Sequence, residues 1–259
     1  MSNKIHVIFR ACDAVNAFNN NPRPYDLSKK EIIKICFKSL YESIKEYPHS
    51  ITVLGDKLSE EMLDFFRSYP VALTNGNYGN DESIRQSVRR ALCLPDEEWV
   101  YFCEDDYLHT PDCFYHIQAL IREREKIFYS KKNILFLYRK FRPEIAIHPP
   151  DYPDRYKNKP RDRGFLFHTS TCHWRQVVNT TFSFLMEVKN IRKFESVFMK
   201  ASQGANDGYL SKNIYGRSSF RNKCLCLSPV PGLSNHMHRD TFTPLVDWEK
   251  IMKALTEKK

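Results

Sequence analysis

Residues 97–112 read EEWVYFCEDDYLHTPD, an apolar run from Trp99 to Cys103 that stops abruptly at Glu104, Asp105 and Asp106. The unbroken apolar run predicts a strand with an acidic end. Three adjacent carboxylates repel one another, and holding them near a strand tip costs several kcal/mol unless a cation or hydrogen-bond donors compensate. The stretch therefore predicts positive charge at that strand end.

Upstream, KIHVIFRA (4–11) alternates as a strand and leads into an Asn- and Pro-rich loop, CDAVNAFNNNPRPYDLS (12–28). SKKEIIKICFKSLYESIKEY (28–47) repeats apolar residues at helical spacing behind Ser28, with Glu31 three positions on as a capping box. SITVLG (50–55) reads as a second strand, ending at Gly55 and Asp56. SEEMLDFFRSY (59–69) reads as a helix capped by Ser59, VALTNG (71–76) as a strand and NDESIRQSVRRALCL (80–94) as a helix. The order β-α-β-α-β-α-β predicts an α/β fold, a largely parallel sheet with helices on both faces, whose ligands bind outside the carboxyl ends of the strands. The polar groups at those ends, Arg10, Ala11 and Asp13, then Asp56, then the acidic triplet, are expected to converge on one crevice.

The second half is less regular. NILFLYRK (133–140) and GFLFHTSTCHW (164–174) read as strands, RQVVNTTFSFLMEV (175–188) and NDGYLSKNIYG (206–216) as helices, and KCLCLSPVPG (223–232) as a late strand. RPEIAIHPPDYPDRYKNKPRDRG (142–164) is so rich in Pro and charge that it reads as a loop or lid.

The chain has 259 residues, of which 42% are hydrophobic and 14% aromatic, a composition that packs a core and argues against disorder. The opening, MSNKIHVIFRACD, lacks the order of a secretory signal, and no run reaches a membrane-spanning length. The eight cysteines include no CxxC pair, so reduced thiols in a cytoplasmic setting are expected, and the spacing of Cys172, His173, Cys224 and Cys226 argues against zinc. A formal net charge of +9 points to an anionic partner. Carboxylates at a strand end bind Mg²⁺ or Mn²⁺ well, and these ions share their shell with substrate phosphates.

With these residues in place, the chain resembles the GT-A glycosyltransferases, most closely the inverting family 2. The resemblance rests on the apolar strand ending in Glu104-Asp105-Asp106, a DxD-like region with Glu in its first position. It rests also on the lead-in NYGNDESIRQSVRRALCL (77–94), and covers about the first 110 residues well. It implies one catalytic domain over residues 1–247, with a nucleotide-sugar half (1–110), an acceptor half (111–247) and a C-terminal helix or tail (248–259). It further implies that Asp106 ligates a divalent metal, that Glu104 or Asp105 contacts the ribose or a metal-bound water, and that Asp13 or Arg10 with Asp56 holds the nucleoside. Arg85 or Arg89 would then reach base or phosphate. Asp207, near the start of a helix, would be the general base that takes the acceptor proton, or simply a helix cap. His236 or His238, two apart and so on one side of an extended segment, would complete the metal shell, unless both are incidental histidines of a surface loop. Trp174 is a candidate acceptor platform, although its apolar neighbourhood favours core packing.

The implied reaction is metal-dependent transfer of a sugar, with inversion, from a nucleotide-diphosphate donor, UDP by default, to a glycan or other hydroxyl acceptor. Nucleotidyl transfer is the alternative, against which stands the absence of glycine from RACDAVNAFNNNPRP (10–24). A nucleic-acid-binding module has only the charge in its favour, and no nucleic-acid partner is expected. The tail DWEKIMKALTEKK (247–259) reads either as a basic amphipathic helix for peripheral membrane contact with a lipid-linked acceptor or as a packed terminal helix.

Overall fold

The computed structural model describes residues 4–14, 24–128, 144–156, 164–215 and 224–257. Its first half follows the alternation of the sequence. β1 (Ile5–Ala11), β2 (His49–Asp56), β3 (Ala72–Gly76) and β4 (Trp99–Glu104) are parallel and ordered β3-β2-β1-β4, linked by α1 (Lys29–Ile44), α2 (Glu60–Arg67) and α3 (Gly79–Leu92). Residues of β4 alternate between two cores: Trp99, Tyr101 and Cys103 face one, Val100 and Phe102 the other. That is why the run reads as continuously apolar. The α1 capping box forms as expected: Glu31 N–H donates to Ser28 Oγ at 3.3 Å and Ser28 N–H to Glu31 Oε2 at 2.7 Å. Phe9, Phe37 and Phe66 meet edge to face at 5.0–6.0 Å and lock β1 to α1 and α2, so that Phe37→Ala would cost about 3–5 kcal/mol.

After β4 the chain forms the short β5 (Tyr107–His109) and then α4 (Cys113–Phe128), a helix the sequence reading passed over. β6 (Ile145–Ile147) lies inside the segment expected to be a loop, and it is a central strand. Residues 164–174 are not one strand but the arms of a hairpin, β7 (Leu166–His168) and β8 (His173–Val177), turning at Thr169–Cys172. The helix expected over 175–188 is absent. Those residues finish β8 and form β9 (Phe184–Glu187), whose residues are all buried. β9 is inserted antiparallel between β4 and β6, so both faces are covered and the alternation that marks a strand is lost. The strand expected at 133–140 lies outside the described residues.

The helices α5 (Val188–Lys193), α6 (Glu195–Ala201) and α7 (Asp207–Ile214) form the back layer with α3. β10 (Leu225–Val230) completes a nine-stranded sheet of order β3-β2-β1-β4-β9-β6-β10-β8-β7. Only β8 and β9 run against the other strands. This is the three-layer, mostly parallel, Rossmann-like architecture that the GT-A resemblance implied. β11 (Ser234–His236) pairs with β5 in a separate ribbon above the sheet edge. α8 (Trp248–Glu257) packs Trp248 and Met252 against Ile32, Ile35 and Cys36 of α1. Its apolar face is therefore used inside the fold, which corrects the membrane-helix reading. No helix among the described residues is long and apolar enough to cross a membrane.

Candidate functional site

The acidic end of β4 lies at the carboxyl edge of the sheet, and each of its carboxylates has its own basic partner. Arg10, at the end of the neighbouring β1, donates to Glu104 Oε1 at 2.8 Å while Ser183 Oγ donates to Glu104 Oε2 at 3.2 Å. The guanidinium is fixed in turn by Asn80 Oδ1 at 3.2 Å and Ser83 Oγ at 3.0 Å. The Lys29 ammonium pairs with Asp105, whose other oxygen accepts the Cys12 N–H at 2.9 Å. Asp106 faces two imidazoles, His236 Nε2 at 3.2 Å from Oδ1 and His238 Nε2 at 3.5 Å from Oδ2. The positive charge predicted at this strand end is thus supplied largely by the chain.

The histidines reach Asp106 through the β5–β11 ribbon. Its register sets His236 opposite Tyr107, and the Met237 N–H donates to the Asp106 carbonyl at 2.8 Å. A two-residue step along extended chain then brings His238 to the same side, with the imidazole centroids 4.1 Å apart. Ligand atoms of Asp106, His236 and His238 all lie within 4.8 Å of one another, and this is the one group of metal-ligating side chains so arranged among the described residues. One carboxylate oxygen and two imidazole nitrogens fit a divalent transition ion. Burial would raise the Asp106 carboxyl, but charge on His236 and hydrogen bonds from both imidazoles outweigh it and hold it well below the usual carboxylate range.

Asp207 opens α7, yet the cap is its neighbour: Asn206 Oδ1 accepts the Tyr209 N–H at 2.8 Å. The cap reading of Asp207 is thereby removed. Its Oδ1 is buried and has no hydrogen-bond partner among the described residues. Burial first and then the charge of Glu104 push its pKa up from 3.8, against Arg10 and His236, to about 7. A carboxyl poised near neutrality, within electrostatic reach of both the acidic strand end and the histidine pair, is suited to general base work.

Other expected site residues have structural duties. Asp13 accepts from the N–H and hydroxyl of Ser59, holding the start of α2 where Ser59 itself makes no side-chain cap. Asp56 accepts the N–H groups of Tyr78 and Gly79 at 2.6 and 3.0 Å and so fixes the start of α3, where Gly79 has φ 68°. The Ala11 methyl is buried in the core. Arg85 bonds Ser202 Oγ and Glu82, whereas Arg89 pairs with Glu82 on a half-exposed helix face. Trp174 is fully buried, with its Nε1 toward Thr169, which corrects its reading as an exposed acceptor platform. Sequence reasoning missed Lys29, Ser183 and Tyr107. Lys29 left a trace as a cation in the first turn of α1, while Ser183 gave none because its role depends on the insertion of β9.

No protein-family model matches the chain, and no curated protein matches it. Among solved structures, TarS 1–349 from S. aureus is 12% identical over 74% of this chain and 49% of that one, with a TM-score of 0.42. The chain thus spans about half the length of that structure. The 4-diphosphocytidyl-2C-methyl-D-erythritol synthase from Anaerococcus prevotii is 12% identical, covering 98% of this chain and 96% of that one, with a TM-score of 0.45. The galactosyltransferase LgtC, in complex with donor and acceptor sugar analogues, is 9% identical over 97% and 95% of the two chains, with a TM-score of 0.44.

Proposed function

We propose that the protein transfers a sugar, with inversion, from a nucleotide-diphosphate donor to a hydroxyl acceptor. The observation that carries this reading is the meeting, at one sheet edge, of a triad able to hold a metal (Asp106, His236, His238) with a carboxyl raised to about 7 (Asp207). Such a pairing serves a reaction in which an anionic group leaves and a hydroxyl loses its proton.

In this reading Asp106, His236 and His238 hold the divalent ion, and the two imidazoles favour Mn²⁺ over Mg²⁺. Once bound, the ion neutralises charge on the departing diphosphate. Asp207 accepts the proton of the acceptor hydroxyl at its carboxylate, and Asn206 fixes that carboxylate at the start of α7. Glu104 and Asp105, held by Arg10, Ser183 and Lys29, stiffen the strand end and orient Asp106. UDP is the donor nucleotide to test first, on the resemblance alone.

A thermal-shift panel of UDP, GDP, CDP, dTDP and ADP, each with Mn²⁺ or EDTA, tests the reading on the wild type and on Asp106→Ala. Ligand at about 100 times its Kd stabilises by about 2.7 kcal/mol. One nucleotide should act, and only with both the metal and Asp106 present. A flat panel removes the donor and with it the transfer. Pyrophosphate release from a nucleoside triphosphate would instead assign nucleotidyl transfer.

A further inference from the structure

At the same edge of the sheet, beyond the end of β5, a second cleft of about 460 Å³ opens between Thr110, the tip of the β7–β8 hairpin, the end of β10 and the start of α8. Its charge is unlike that of the whole. The chain carries a formal net charge of +9, yet none of the described residues lining the cleft is Lys or Arg. The ionisable groups there are Asp112, Asp247, His116 and His173, with Cys172, and the apolar walls come from Val230, Leu233, Val246 and Ile251.

One further feature points to a ligand. Leu245, which also lines the cleft, is 78% exposed and has φ 69°, a left-handed conformation that costs a leucine energy and that close packing does not reward here. The carboxylates have local duties, Asp112 pairing with His116 Nε2 at 3.1 Å and Asp247 Oδ1 accepting the Lys250 N–H at 3.0 Å. Even so, they set the sign of the rim, since no described lining residue brings a permanent positive charge.

We propose that this cleft binds an apolar group carrying a protonated amine and that, resting on the transfer reading, this group is the remote end of the acceptor. The apolar part lies under Leu245 against Val246 and Ile251, and the ammonium faces Asp247. Thr110 is four residues beyond Asp106 along the chain, which at about 3.3 Å per extended residue is at most about 13 Å. An acceptor whose hydroxyl reaches the reaction centre must extend over that length to enter the cleft.

The test is calorimetric titration of the protein, free of nucleotide and metal, with n-octylammonium and with n-octyl sulfate. The ammonium should bind at least about tenfold tighter, because the two share one tail and the rim carries carboxylates. Leu245→Gly should weaken it about fivefold or more while the melting temperature holds or rises, since glycine suits the left-handed backbone. Asp247→Asn, which keeps a capping oxygen for α8, should weaken it as well. Equal or tighter binding of the sulfate, no binding of the ammonium, or binding indifferent to both variants overturns the proposal. Because no nucleotide enters the titration, its failure leaves the transfer reading standing. A flat nucleotide panel, by contrast, would leave the cleft a binding site while removing its link to an acceptor.

Discussion

The ring of Tyr107 lies flat against the imidazole of His236, with centroids 4.8 Å apart and planes within 5° of parallel. The two residues face each other across the β5–β11 ribbon, and the Tyr107 hydroxyl is held by Tyr152 at 2.7 Å and Thr181 at 2.8 Å. Tyr107 therefore sets the plane in which His236 offers Nε2. Partners that orient a metal ligand are commonly worth 10–100-fold in affinity, so Tyr107→Leu should weaken Mn²⁺ binding by about tenfold. Tyr107→Phe keeps the stack and should keep the affinity, losing about 1–3 kcal/mol of stability because Tyr152 and Thr181 give up a partner. Mn²⁺ titration followed by electron paramagnetic resonance, with thermal unfolding in EDTA alongside, separates the effects. Unchanged affinity in the leucine variant would sink the orienting role.

Asp207→Asn should lower turnover by about 10²–10⁴-fold, the usual contribution of a general base. Its effect on stability has a definite sign. The carboxyl titrates near 3.8 when unperturbed and at about 7 in the folded chain, so between these values the folded chain holds a proton that the unfolded chain has lost. Stability falls as pH rises through that window, and the whole penalty is present above about pH 7. After allowance for partial solvation, Asn should stabilise the protein by about 1–3 kcal/mol at pH 8 and by almost nothing at pH 4. Wild-type turnover should rise with pH toward a plateau above about 7. Melting curves across pH that run parallel for both proteins would show that Asp207 is not held near neutrality.

Asn206→Ala removes the side-chain cap of α7, and the loss of such a cap costs about 0.5–2 kcal/mol. Because the cap also positions Asp207, turnover should fall at temperatures where the variant is fully folded, and Asn206→Asp or Asn206→Ser should restore it. If the alanine variant turns over normally well below its melting point, the cap is a stability feature alone.

Lys29→Met leaves Asp105 buried beside Asp106 without its ammonium. Breaking a buried ion pair from one side costs about 3–5 kcal/mol, a loss that urea unfolding at pH 7 would measure. Lys29→Met combined with Asp105→Leu should recover most of it, because the cost lies in the stranded charge. A double variant no more stable than the single one would place the loss elsewhere, in the start of α1.

The first half of the fold was legible because its signals are local. Ser28 and Glu31 announce α1, and Ile5, Val7 and Phe9 alternate along β1. The acidic end of β4 could be read for the same reason: repulsion among neighbours in sequence needs no tertiary context. The second half hid its strands. Phe184, Leu185 and Met186 are buried on both faces between β4 and β6, so they show no period of two and passed for helix. α4 was readable, with Phe114, Ile117, Leu120 and Ile121 at helical spacing, and was overlooked. Asp106 and the histidines could be named as candidate metal ligands only through the resemblance. What joins them is the pairing of β5 with β11, which no local pattern specifies. The duties of Asp13 and Asp56 were invisible for the matching reason: a carboxylate capping a helix and one facing a ligand look alike in a sequence.

Leu108 and Met237, the neighbours of Tyr107 and His236 in the ribbon, share a buried cluster with Trp248 and Met252 of α8. The last helix therefore works as a clasp behind the ribbon that carries the proposed metal triad. Removing it would uncover the underside of the ribbon and loosen His236 and His238 relative to Asp106, while the nine-stranded sheet below keeps its own two cores. Loss of metal binding and loss of fold would then come apart. A proteolytic nick near Asp247 would yield a folded body with an empty clasp.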